Sequence, residues 1–133
     1  MKKIFRDKEL AAIFHTKSDW KEGLDFLTPN ETFIQVGTWW YPAGKDLKAH
    51  KHIVNERSIT HTQETVVIMN GSIEIHLYDE KKSIFHREIL KEGDVGIIFS
   101  GGHGYRVLED QTKVVEIKNG PFHSVEKDKE MIQ

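Results

Sequence analysis

Residues 48–52 read KAHKH, two imidazoles one residue apart. On a β-strand, residues i and i+2 face the same way, so His50 and His52 would offer two nitrogen donors to one point. On a helix the same spacing turns the rings about 200° apart, and they could not share a ligand. Further along, the chain carries Glu64 at the head of the run TVVIM and His103 in SGGHG. Were such groups to meet the histidine pair, three imidazoles and a carboxylate would make a mixed nitrogen and oxygen set that suits one divalent transition metal, Zn, Mn, Fe or Ni, and does not suit calcium. An ionised Glu64 facing inward would be costly alone, and coordination to a cation offsets that cost. Two alternatives stay open: the histidine pair could line a solvent face, and Glu56 or His61 could take the place of Glu64.

These residues need strands to hold them, and the chain alternates short β-rich runs with turn residues. ETFIQVGTWWY (31–41) closes on Pro42-Ala43-Gly44, and ETVVIM (64–69) runs into Asn70-Gly71, a dipeptide that favours hairpin turns. SIEIHLY (72–78), SIFHREIL (83–90), VGIIF (95–99), YRVLE (105–109) and KVVEIK (113–118) follow, each bounded by Gly, Asn, Asp or Ser. Near-regular strands of this kind predict an all-β sandwich or barrel. Helical patterning is nearly absent; RDKELAAIF and SVEKDKEMI could each form a turn or two.

At 133 residues the chain should form one domain, 1–133, with a single core. Its net charge of −2, spread along the chain, gives no basic stripe for nucleic acid and no polybasic segment for a membrane. There is no cysteine, so thiolate ligands and disulfides are excluded; this fits a reducing cytoplasm. The N-terminus meets Arg6, Asp7, Lys8 and Glu9 before any apolar run, unlike a signal peptide, and no stretch reaches the ~20 apolar residues of a membrane span. Phe5, Ile13, Phe14 and Trp20 are more apolar than a free tail requires, so residues 1–30 are expected at a homodimer interface.

From Gly44 to Gly71 the chain reads G-x5-H-x-H, then eleven residues (53–63), then E-x6-G; Gly93 opens a second segment ending in Gly101-Gly102-His103. This resembles the cupin superfamily, whose motifs are G-x5-H-x-H-x3-4-E-x6-G and G-x5-P-x-G-x2-H-x3-N. The likeness spans residues 44–107. It departs in the eleven-residue insertion, in Phe99 at the proline position, in His103 arriving one residue early, and in Val107 at the asparagine position. The resemblance implies a cupin double-stranded β-helix (a jelly-roll barrel) in which His50, His52, Glu64 and His103 hold one metal.

GGHGYRVLEDQTKVVEIKNG (101–120) is also similar to the H-G-F-x-V-L-x-D stretch of RmlC-like sugar-nucleotide epimerases and ketoisomerases. That implies a small, carbonyl-bearing, sugar-like substrate and an isomerase or epimerase that polarises the carbonyl with the metal, while a base, His61 or Tyr105, moves a proton. The R-G-x-H pattern of those epimerases is missing. Arg57 and Arg106 are candidates for gripping an anionic group, and one of the adjacent Trp39 and Trp40, with Trp39 preferred, for lining the cavity. A non-haem metal dioxygenase and a non-catalytic binding module use the same ligand set and remain alternatives.

Overall fold

A computed structural model describes residues 1–132 and contains ten strands among them. β1 (Lys2–Arg6) and β2 (Glu9–His15) form a hairpin, followed by β3 (Gly23–Phe26), β4 (Gly37–Trp40), β5 (Glu64–Asn70) and β6 (Ser72–Tyr78). β7 (Ile84–Lys91), β8 (Val95–Ile98), β9 (Gly102–Val107) and β10 (Lys113–Lys118) complete the set, with a single-turn helix α1 at Val125–Asp128. An antiparallel five-stranded sheet runs β1-β2-β8-β5-β10, and a three-stranded one runs β7-β6-β9. β3 and β4 pair only with each other. Among the described residues, the helical segments beside these strands are α1 and a 3₁₀ turn at Lys17–Asp19.

Alternation explains how the two larger sheets close on each other. Val66 and Ile68 on β5, Ala12 and Phe14 on β2, and Ile98 on β8 meet Ile73, Ile75 and Leu77 on β6 and Leu90 on β7 in one buried cluster. A second cluster lies on the outer face of the five-stranded sheet, where Leu27, Ile34 and Phe99 cover Ile13, Val95 and Ile97. Gln63 ties that layer down: its side-chain oxygen accepts from Ile34 N at 3.0 Å, and its amide donates to Phe99 O at 3.3 Å. Gln63 and Glu64 therefore serve opposite faces, as successive strand residues must.

Several expectations change. Asn70-Gly71 is not a hairpin turn: β5 belongs to the five-stranded sheet and β6 to the three-stranded one, so the dipeptide carries the chain across the core. Gly71 has φ +75°, and a Cβ there would lie 2.3 Å from Thr112 Oγ1, so the corner requires glycine. RDKELAAIF is no helix; Asp7 (φ 54°) makes the β1–β2 turn, and Ala11 to His15 are buried on both faces. A short, wholly apolar run carries no period that separates strand from helix. The N-terminal segment packs within its own chain, where β1 and β2 form a hairpin and Ile13 and Phe14 are core residues.

The largest difference concerns residues 41–63, which form no strand and, from Pro42 to Thr62, lie exposed. Within 31–41, only Gly37–Trp40 is a strand. The chain exposes 9826 Å², against roughly 7,200 Å² for a compact monomer of its 15.4 kDa. No helix among the described residues is long and apolar enough to cross a membrane.

Candidate binding cleft between the sheet edges

β9 and β10 are the free edges of the two facing sheets, and between them lies a cleft of about 540 Å³. Register decides what faces into it. On β9, His103 and Tyr105 lie opposite Leu77 and Ile75, both core residues, so both point inward. On β5, Glu64 shares a face with Val66 and Ile68, at the open end of the core. On β10, Lys118 pairs with Glu64 and Glu116 with Val66, which turns both charged side chains the same way.

These groups converge on one carboxylate. Tyr105 donates its hydroxyl proton to Glu64 Oε1 at 2.5 Å, and His103 Nε2 lies 3.4 Å from the same oxygen. Lys118 Nζ lies 3.6 Å from Glu64 Oε2 and 2.8 Å from Glu116 Oε1. Burial works to raise the pKa of Glu64, but hydrogen bonds from His103 and Tyr105 and the nearby charges outweigh it and hold the carboxyl at about 2. Burial and the adjacent Glu64 carboxylate push the Tyr105 phenol far above its ordinary value. Glu116 holds the Lys118 ammonium above its usual range. The centre is thus a fixed anion with a neutral phenol, an imidazole and an ammonium around it.

The C-terminal segment forms the rim. Thr62 Oγ1 donates to Asp128 Oδ1 at 2.7 Å, and the Ile132 side chain rests so close to Gly102 that a Cβ there would lie 2.1 Å from Ile132 Cδ1. Asn119 pins the neighbouring backbone, accepting from Gln63 N at 2.7 Å and donating to His61 O at 3.0 Å.

Of the expected site residues, the fold brings together Glu64, His103 and Tyr105. His50 and His52 lie on the exposed segment rather than a strand, their rings edge to face at 5.2 Å, with His50 Nδ1 3.2 Å from Lys48 O. His61 stacks on Phe33 with centroids 6.3 Å apart and lies outside the cleft lining. Arg57 reaches only Asn55 O, at 3.3 Å. Arg106 sits opposite Glu74 on the outer face of its strand, because it alternates with His103 and Tyr105, so it points away from the cleft. Trp39 is 55% exposed on the β3–β4 ribbon, and neither it nor Trp40 lines the cleft. Glu116 and Lys118 were missed. The spacing E-x-K in KVVEIK was the available signal, since it puts both charges on one face of a strand.

Among the described residues, no group of three or more His, Cys, Asp and Glu side chains is drawn together around a common point for a metal ion. Glu64 and His103 are separated as two ligands of one ion would be, since donors each ~2.1 Å from a metal lie about 3 Å apart. The donor types fit a transition metal; their placement supplies two of the four. Compared with known proteins, the chain matches no family model, no curated protein and no solved structure.

Proposed function

We propose that this chain is a cupin-type jelly roll that binds a small, carbonyl-bearing, sugar-like molecule in the β9–β10 cleft and acts on it as an isomerase or epimerase. The observation that carries this reading is the convergence of Glu64, His103 and Tyr105, from two facing sheets, at one end of an otherwise apolar core. The strand path agrees with a jelly roll, because β5 to β10 pass repeatedly between the two sheets. A divalent metal would draw on Glu64 and His103 from the cleft and on His50 and His52 from the exposed segment, and when bound it would polarise a carbonyl.

The chain's own groups have separable roles. Tyr105, kept protonated beside an ionised carboxylate, is not the proton-abstracting base; its single hydroxyl proton orients Glu64, and it would donate to a substrate oxygen only where a bound cation took Glu64 in its place. Lys118 places positive charge at the wall, suited to a substrate phosphate or carboxylate, the role expected of Arg106.

The test is hydrogen exchange into substrate. Protein loaded in turn with Zn, Mn, Fe or Ni is incubated in deuterated water with a panel of keto-sugars and keto-sugar nucleotides, and the substrates are weighed by mass spectrometry. Wild-type protein should introduce one deuterium beside the carbonyl, and Tyr105→Phe should slow uptake by about 100-fold or more. No uptake by any loaded form would remove the isomerase reading.

A further inference from the structure

We infer that the chain forms a two-fold dimer in which the β3–β4 ribbon of one copy packs on the bare end of the five-stranded sheet of the other. Two separate apolar surfaces carry this, and neither belongs to the cleft. On the ribbon, Leu24 and Trp39 are directly opposed and Phe26 lies two residues from Leu24, so the three share one face. All are open, Phe26 at 66% and Trp39 at 55% exposure. The Phe26 ring lies across Gly37, where a Cβ would stand 3.2 Å from Phe26 Cδ1, so the patch is smooth and continuous.

The second surface is on the outer face of the five-stranded sheet. Leu27, Ile34 and Phe99 cover that face over β2 and β8, and the cluster reaches Val67 on β5. Beyond it the face is open on β10 and at the far end of β5, where Val115 lies opposite Val67, Ile117 opposite the buried Thr65, and Met69 ends the row. Met69, Val115 and Ile117 are each about half exposed. β10 has turned its charged Glu116 and Lys118 towards the cleft, so Val115 and Ile117 face outward.

The occupant is a second copy because one chain carries both halves of the contact. A two-fold arrangement places ribbon on sheet twice and leaves neither patch open, whereas an unrelated partner would cover one and strand the other. The area is adequate. Aromatic side chains bury 150–250 Å² each, and at these exposures the two patches together come to roughly 700 Å² per copy. Standard interfaces bury about 800 Å² per partner, and monomers rarely expose more than a few hundred Å² of contiguous apolar surface.

The experiment is analytical ultracentrifugation of the full chain at micromolar concentration. Wild-type protein should sediment at twice the chain mass. Phe26→Asp on the ribbon and Ile117→Asp on the sheet should each raise the dimer dissociation constant by about 30-fold or more, with far-ultraviolet circular dichroism unchanged. Trp39→Asp and Val115→Asp probe the same surfaces and stand in for either variant if it fails to fold. A wild-type monomer, or dimers that survive substitution on both surfaces, would overturn the inference. Dissociation by the ribbon variants alone, or by the sheet variants alone, would overturn the ribbon-on-sheet pairing.

Discussion

Glu64 is subject to opposed influences: burial favours its neutral form, and the surrounding donors favour the carboxylate and prevail. A carboxyl whose folded pKa, about 2, lies below its unfolded value of 4.5 adds stability above pH 4.5 and loses it as the pH falls through 2. At about 1.4 kcal/mol per pKa unit, the contribution is on the order of 3 kcal/mol. We expect wild-type stability in urea to fall more steeply than that of Glu64→Gln between pH 4.5 and pH 2. Asp19, held near 2 chiefly by its hydrogen bond from the N-terminal ammonium, titrates in both proteins, so the difference isolates Glu64. Parallel curves would mean that Glu64 is not paired as described. Tyr105→Phe removes a hydrogen bond to a charged acceptor and should cost about 1.5–3 kcal/mol at neutral pH. Glu64 and His103 were legible in the sequence through the E-x6-G register and the Gly101-Gly102 turn that precedes His103. Glu116 and Lys118 were not, because the apolar residues of KVVEIK fall on both faces and the more apolar face is the one turned outward.

At the scale of elements, corners between sheets decide the topology, and they are sensitive to backbone chemistry. Gly71→Ala forces a side chain into the left-handed region and against Thr112, and should lower stability by about 3 kcal/mol. Gly44 has a similar φ of +86° but nothing within 4 Å of its would-be Cβ, so Gly44→Ala should cost only about 1 kcal/mol. Equal melting temperatures for the two variants would refute the account of the Asn70-Gly71 corner. Strands with clean turn boundaries, such as Ser72–Tyr78 and Lys113–Lys118, coincide with the sequence reading. What could not be read was pairing, because Asn-Gly favours a tight turn without saying whether the strands it joins share a sheet. The stretch after Trp40 differs for another reason: the spacing of His50 and His52 was read on a strand, but a strand needs a partner, and here the segment pairs with none.

Across the whole molecule, the excess surface comes from the bare sheet face, the ribbon and the exposed segment 42–62. Trypsin should cut the metal-free protein first at Lys45, Lys48, Lys51 and Arg57, all exposed and outside secondary structure. If His50 and His52 join Glu64 and His103 around one ion, divalent metal should slow these cuts, and the paired change His50→Ala with His52→Ala should abolish the protection. Equal cleavage rates with and without metal would separate the segment from the cleft. The most direct measurement is calorimetric titration of chelator-washed protein with Zn²⁺, comparing wild type with Glu64→Gln, His103→Ala and the outward-facing Arg106→Ala. We expect one tight site per chain in wild type and in Arg106→Ala, and its loss in Glu64→Gln and His103→Ala. Undiminished binding by both cleft variants would contradict the assignment of Glu64 and His103 as a single binding centre.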